Sequence, residues 1–211
     1  MAEEGLSWRD YYQRTGERPP RETLLSALDS WDSAGRTPGQ AVDLGSGTGR
    51  DTIELLRRGW SVLAIDAEPD AIAGLEARPD LPPGARLETK VARFEETDWP
   101  ACDLVNASFA LPLCPPETFP RLWQRIVERL RPGGRFAGQL YGDRDSWVGR
   151  PGMTFLSRAE ALALLAPLEV ELFREEEDDG VTPRGKAKHW HIFHIVARKP
   201  GGLSPAPGPH T

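Results

Sequence analysis

The chain has 211 residues, 39% of them hydrophobic and 27% charged, a composition typical of a globular protein with room for one α/β domain. Its formal net charge of −6 gives no basic surface for a nucleic acid partner. No apolar run is long enough to span a bilayer, and the acidic start lacks the features of a signal peptide, so we expect a cytoplasmic protein without a membrane partner. The two cysteines, Cys102 and Cys114, have neither disulfide nor metal-ligand spacing.

The first forty residues favour helices. Residues 7–14 and 21–31 carry apolar side chains at helical spacing, with Trp8 and Tyr12 four apart on one face. The stretch "GRTPGQ" then interrupts the pattern with glycine and proline. We therefore predict an N-terminal helical cap over residues 1–39.

Strands and helices alternate in the next hundred residues. The predicted strands are 41–44, 60–66, 85–94, 102–108 and 135–142, and the predicted helices are 50–59, 69–78 and 116–134. Such alternation is typical of a mostly parallel sheet with helices on both faces.

The last part of the chain predicts a different connection. A helix over 157–167, with Ser157 as N-cap and Glu160 completing a capping box, precedes two strands at 168–175 and 188–199. An acidic and then basic loop, 176–187, joins them without a helix, so the two strands must pair antiparallel. We predict a Rossmann-like, seven-stranded α/β fold with a C-terminal antiparallel hairpin, a main domain over 40–199 and a disordered tail over 200–211.

The stretch "AVDLGSGTGRD" follows the first predicted strand and places Gly45, Gly47 and Gly49 between two acids, Asp43 and Asp51. The dinucleotide fingerprint has two residues between its second and third glycines, and here there is one. The phosphate loop of nucleotide hydrolases ends in Gly-Lys-Ser or Gly-Lys-Thr, which is absent. Two acids beside the loop fit a positively charged ligand better than a pyrophosphate.

Asp66 ends the second predicted strand, about twenty residues after the loop. An acid at this position can accept hydrogen bonds from both hydroxyls of a ribose. Together, the loop and Asp66 predict an adenosine-like ligand whose other end is cationic or zwitterionic.

Four motifs in this order and spacing, "VDLGSGTGR", "VLAID", "DLVNAS" and "LRPGGRF", resemble the class I S-adenosylmethionine-dependent methyltransferases. The stretches "WRDYY", "NASFALPLCPPETF", "GDRDSW" and "KHWHIFHIVARKP" are similar to the branch related to tellurite-resistance methyltransferases. The resemblance implies S-adenosyl-L-methionine as cofactor, a small-molecule methyl acceptor, and a monomer or homodimer.

The resemblance also implies roles for individual residues. Asp43 helps to hold the methionine ammonium group, and Asp66 binds the ribose. Ala67 lines the adenine pocket, Phe94 stacks on the ring, and Arg93 stands where many relatives carry an acid. The other predicted cofactor contacts are Tyr12, Trp8, Gly45, Ser46, Gly47, Gly49, Arg50 and the backbone of Asn106 and Ala107.

The expected reaction is a direct displacement, in which an acceptor atom attacks the methyl carbon and sulfur departs. A general base is needed only for an acceptor that arrives protonated with a high pKa, and the candidates are His191, His189 and Asp145. Asp145 and Trp147 are also candidates for the acceptor site. The two histidines lack an evident third ligand, so we expect no metal.

Two alternatives remain at this point. A nicotinamide-dependent oxidoreductase is disfavoured by the glycine spacing and by the lack of a clear Tyr-x-x-x-Lys pair. A non-catalytic S-adenosylmethionine-binding protein, with a regulatory or partner role, would keep the same loop and lose the acceptor pocket.

Overall fold

The computed structural model describes residues 18–182 and 185–201. Its helices are α1 (Glu22–Ser33), α2 (Arg50–Arg57), α3 (Pro69–Glu76), α4 (Phe119–Arg129) and α5 (Arg158–Leu164), with a 3-10 turn at Leu111–Leu113. Its strands are β1 (Gln40–Leu44), β2 (Ser61–Asp66), β3 (Leu87–Val91), β4 (Cys102–Ala107), β5 (Leu130–Gly142), β6 (Phe155–Leu156), β7 (Glu169–Val181) and β8 (Ala187–Arg198). None of the helices in these ranges has the length and apolar character to cross a membrane.

The strands form one sheet in the order β3-β2-β1-β4-β5-β8-β7. β1 to β5 are parallel, whereas β8 runs antiparallel to both β5 and β7. The predicted Rossmann-like fold with a C-terminal antiparallel hairpin is therefore confirmed. The two-residue strand β6 pairs with the end of β5 and raises the strand number from the predicted seven to eight.

Hydrophobic side chains cover both faces of the sheet. On one face α1, α2 and α3 bury Leu24, Leu28, Ile53, Leu55 and Leu75 against side chains such as Leu104 and Val196. On the other face α4 and α5 bury Leu122, Trp123, Ile126 and Ala161 against Val105, Phe136 and Phe193. Burial on both faces explains why the strands read as nearly continuous apolar runs.

Local signals in the sequence fix several helix ends. Pro69 occupies the first turn of α3, where its missing N–H costs nothing. Ser157 and Glu160 form the predicted capping box of α5, with each side chain bonded to the other residue's backbone N–H.

Helix α4 ends earlier than predicted. It stops at Arg129, and Leu130 is already extended and paired with Cys102 of β4. Pro132 disfavours helical angles in the residue before it, so the helix has to end ahead of Arg131.

The acidic segment predicted as a loop is a strand. β7 runs to Val181, and its residues Glu175, Glu177 and Asp179 lie opposite Phe193, His191 and His189 of β8. Acidic residues have low strand propensity, but cross-strand pairing with histidines compensates for it here. The connection between the strands is accordingly shorter than the predicted 176–187.

The predicted N-terminal cap is described in part. Helix α1 corresponds to the predicted 21–31 helix and packs on β5 and β8. The predicted 7–14 helix and nearly all of the predicted tail lie outside the described residues.

Candidate functional site

The glycine loop lies at the carboxyl end of β1, where parallel sheets bind ligands. Gly45, Gly47 and Gly49 have φ angles of 68°, 54° and 85°, which residues other than glycine rarely adopt. A Cβ on Gly45 would lie 2.5 Å from the Cβ of Ala110, and one on Gly49 would lie 2.3 Å from a methyl of Leu75. The loop therefore needs glycine both for its backbone angles and for its close contact with neighbouring elements.

Gly45→Ala should lower the free energy of unfolding by about 2–4 kcal/mol, because a strained backbone and a close contact add together. Gly35→Ala is the matched control, since Gly35 has a similar φ of 66° but no atom within 4 Å of the new Cβ. Thermal unfolding should show a clearly larger loss for Gly45→Ala. Equal losses would mean that the contact with Ala110 does not constrain the loop.

Asp66 is held at the end of β2, beside the loop. Its Oδ2 accepts the N–H of Gly47 at 2.8 Å, and its Oδ1 accepts the N–H of Glu68 at 2.9 Å. The side chain is buried, and the loop itself is tied to β2 because Gly45 N–H donates to the Ile65 carbonyl at 2.8 Å. The carboxylate thus has a fixed orientation toward the loop.

Asp43 lies at the centre of a buried hydrogen-bond network. Its Oδ2 accepts from the Thr52 hydroxyl at 2.5 Å and its Oδ1 from the Asn106 amide at 2.9 Å. The same amide reaches Asp51 Oδ2 at 3.2 Å. Burial and, next, the charge of Asp51 raise the pKa of Asp43 to about 7.

The structure places other predicted cofactor residues around the loop. Ser46 is buried, and its hydroxyl has no hydrogen-bond partner among the described residues. Arg50 donates from Nε to the Pro19 carbonyl at 2.6 Å, Ala67 is exposed beyond Asp66, and Ala107 is buried at the end of β4. Trp8 and Tyr12 lie outside the described residues.

The predicted adenine side contains Arg93 and Phe94 after β3. Phe94 is buried, and its ring edge lies 3.8 Å from the place where a Cβ of Gly45 would be. Arg93 is exposed and donates to Glu95 at 2.7 Å, so its guanidinium is held by a neighbouring acid. Phe94 is therefore the better placed of the two beside the loop.

The two predicted histidines share one face of β8, and both have carboxylate partners on β7. His191 is fully buried, with Nδ1 accepting the Arg144 N–H at 3.1 Å and Nε2 lying 2.9 Å from Glu175 Oε1. His189 lies 2.8 Å from Asp179, and this hydrogen bond raises its pKa.

Asp145, the third candidate base, is paired inside the protein. Its carboxylate forms an ion pair with the Lys188 ammonium, both side chains being fully buried. The backbone N–H of Trp147 also donates to it at 2.9 Å. Burial lowers the pKa of Lys188.

Aromatic rings surround the Lys188 ammonium. Nζ lies 4.0 Å from the ring centroid of Trp147, 4.3 Å from that of Trp190 and 5.1 Å from that of Tyr141. These cation–π contacts join the loop after β5 to β8. The sequence analysis named Trp147 and Asp145 as candidates but did not single out Lys188, because the residues around Lys188 come from a distant segment.

Phe109 is a second residue that the sequence did not single out. Its φ of 57° is unusual for a bulky side chain. Its N–H donates to Gln139 at 3.0 Å, and the Arg21 guanidinium lies 4.3 Å from its ring centroid. Phe109 therefore stands just after β4, in a conformation held by β5 and by the start of α1.

The sheet order, the glycine loop and the acid at the end of β2 together define a class I methyltransferase fold. Comparison with known proteins agrees, because the sequence profile of a family described as "Methyltransferase domain" matches residues 41–134. The matched range is slightly less than half of the chain, and within it the sequence is similar to that family.

One curated relative is trans-aconitate 2-methyltransferase of Deinococcus radiodurans. It is 35% identical over 114 residues, which are 50% of this chain and 39% of that protein. The chain therefore spans well under two thirds of this relative's length.

Solved structures show the same fold. TehB of Haemophilus influenzae superposes with a TM-score of 0.73 at 17% identity, covering 92% of this chain and 67% of that one. A Burkholderia thailandensis 1,6-didemethyltoxoflavin-N1-methyltransferase, solved with S-adenosylhomocysteine, gives a TM-score of 0.63 at 24% identity, covering 92% and 84%. The likeness to TehB agrees in fold with the predicted tellurite-resistance branch.

Proposed function

We propose that this protein binds S-adenosylmethionine at the glycine loop and transfers its methyl group to a small-molecule acceptor. The proposal depends on one observation. A loop of bare backbone lies between two buried carboxylates, those of Asp43 and Asp66, and is hydrogen-bonded to the second.

The charge of this site selects the kind of ligand. Asp43, Asp51 and Asp66 are each less than 5% exposed, and all three lie around the loop. Three buried acids repel a phosphate and attract a cation. The ligand that fits is a nucleoside with a positive charge away from its base.

Different residues bind different parts of S-adenosylmethionine in this proposal. The Asp66 carboxylate, oriented by two backbone donors, accepts the ribose hydroxyls. Gly45 and Gly47 allow the ligand to approach the backbone, Phe94 packs against the adenine, and Asp43 attracts the ammonium group.

S-adenosylmethionine, when bound, supplies a methyl group on a positively charged sulfur, and the acceptor's electron pair takes that methyl as the carbon–sulfur bond breaks. The chain's contribution is to orient the partners and exclude water. Phe109, Tyr141 and Trp190 form an aromatic wall at the edge where β4 and β5 end, with Phe109 and Trp190 each about 6 Å from Tyr141 between ring centroids. We infer that the acceptor binds against this wall.

The candidate bases are occupied by hydrogen bonds within the protein, which favours a methyl acceptor that needs no general base. His191 and Asp145 are both buried and hydrogen-bonded within the protein. An acceptor that is already ionised, such as a thiolate, a chalcogen anion or a carboxylate, requires no proton transfer. Trans-aconitate, named in the curated relative, is a carboxylic acid and therefore belongs in the test.

Incubation with methyl-labelled S-adenosylmethionine and a panel of acceptors tests the proposal. The panel contains a thiol, a phenol, an amine, a selenium or tellurium oxyanion, and trans-aconitate. We expect labelled product with at least one anionic acceptor and none with an Asp66→Ala variant. Cofactor binding without transfer to any acceptor would favour the non-catalytic alternative, and absence of binding would refute the proposal.

A further inference from the structure

Asn106 connects two carboxylates in the core of the proposed cofactor site. Its side chain is fully buried at the end of β4, and its amide nitrogen lies 2.9 Å from Asp43 Oδ1 and 3.2 Å from Asp51 Oδ2. An amide nitrogen donates and cannot accept, so each carboxylate receives one hydrogen bond from the same neutral group. Removing it would leave two acids facing each other inside the protein.

The network continues from Asp51 to the N-terminal segment. Asp51 Oδ1 accepts the backbone N–H of Arg21 at 2.9 Å, and Arg21 is the N-cap residue of α1. Thr23, two residues further on, accepts from Gln139, which in turn accepts the N–H of Phe109. The start of α1 is therefore held by groups that belong to the loop region and to β5.

The groups facing Asp43 are mostly acidic or neutral. They are Asp51 and Thr52 on α2, Asn106 on β4 and Asp66 at the end of β2. Burial and the two neighbouring acids disfavour a charge on Asp43, whereas Thr52 and Asn106 favour one. At neutral pH the protonated and ionised forms of Asp43 are therefore close in free energy, and a cationic ligand can shift the equilibrium toward the ionised form.

We propose that cofactor binding is linked to the release of a proton from Asp43, and that Asn106 is a positioning residue that sets the pH at which this link acts. Its amide holds Asp43 and Asp51 together and keeps the start of α1 in place, and the ammonium group of the cofactor displaces a proton from Asp43. The inference rests on the proposed function, because it needs a cationic ligand at the loop.

The direction in which affinity changes with pH follows from the protonation of Asp43 in the ligand-free protein. Below about pH 7 Asp43 carries a proton, and a bound ammonium favours the ionised form. Binding therefore releases a proton, and affinity rises with pH by up to about tenfold per unit below the midpoint. Above the midpoint the affinity levels off.

Calorimetric titration with S-adenosylhomocysteine between pH 5.5 and 8.5, in two buffers of different ionisation enthalpy, tests the proposal. For the natural protein we expect close to one proton released near pH 6 and a midpoint near 7. Asn106→Ala should move the midpoint upward by about one unit, because the charged pair loses a donor. Ser108→Ala is the matched control, since Ser108 lies 3.4 Å from the amide oxygen and leaves the donor side intact.

A second readout concerns the N-terminal segment. Hydrogen exchange of the Arg21 amide should be faster in Asn106→Ala, because Asp51 is no longer held as its acceptor. Asn106→Ser retains a donor at this position and should give a midpoint between those of the natural protein and Asn106→Ala. This variant replaces Asn106→Ala in the test if the alanine variant does not fold.

The possible outcomes separate the inference from the proposed function. Binding with a midpoint that Asn106→Ala leaves unchanged, or with affinity lost equally at every pH, would overturn the inference and leave the function standing. Failure of the natural protein to bind at any pH would overturn both.

Discussion

Asp66→Ala is expected to weaken S-adenosylmethionine binding by at least about 100-fold. In the proposed complex the Asp66 carboxylate accepts two ribose hydroxyls, and hydrogen bonds to a charged group contribute about 1.5–3 kcal/mol each. The substitution also removes the acceptors of the Gly47 and Glu68 N–H groups, so the loop loses its fixed shape. Isothermal titration calorimetry measures the change directly.

A matched control for this experiment is Asp70→Ala. Asp70 is an exposed acid in the first turn of α3, four residues after Asp66. The control should bind the cofactor as the natural protein does, and circular dichroism should show both variants folded. Equal affinity in Asp66→Ala and the natural protein would exclude Asp66 as the ribose acceptor.

Lys188→Met is expected to have the largest effect on stability. Lys188 and Asp145 form a fully buried ion pair, and removing one partner leaves an uncompensated charge in the core. Breaking a buried pair in this way costs about 3–5 kcal/mol. For a chain of this length the midpoint of thermal unfolding should fall by roughly 6–20 °C.

Two further variants identify the cause of the loss. The double variant Lys188→Met, Asp145→Asn removes both charges and should recover at least half of the lost stability. Lys186→Met changes an exposed lysine two residues away and should have little effect. If the double variant is no more stable than the single one, the loss comes from packing against Trp147 and Trp190 and not from the unpaired carboxylate.

The alternation of strands and helices along the chain could be predicted because its determinants are local. Apolar runs such as 41–44 and 60–66 alternate with helical patterns, and their short connections leave few alternatives for a parallel sheet. The hairpin at the C-terminus followed from the absence of a helix between the last two strands. Helix ends were predictable where the sequence contains a recognisable capping motif, as at Ser157.

The acidic half of β7 could not be predicted from its own residues. Glu175, Glu176, Glu177, Asp178 and Asp179 have the composition of a solvated loop. The strand is stabilised by contacts with the histidines of β8 and with Arg144 in the loop after β5. The signal was present in the alternating histidines of β8, but pairing depends on register. Register is a property of two segments together.

The candidate site likewise contains residues that could be predicted from the local sequence and residues that could not. The glycines and Asp66 were predicted as cofactor contacts from their spacing, since backbone angles and strand position depend on the local sequence. Asn106 was assigned a backbone role, but its side chain bridges two acids that come from β1 and α2. Lys188 and Phe109 were missed because each depends on contacts with segments more than twenty residues away.

A crystal structure with S-adenosylhomocysteine is the most direct test of the central claim, that the loop and Asp66 bind a cationic nucleoside. We predict both ribose hydroxyls within hydrogen-bonding distance of the Asp66 carboxylate, and the amino acid end of the ligand over the loop near Asp43. A loop that stays empty at saturating ligand, or that binds a phosphate group in its place, would contradict the account.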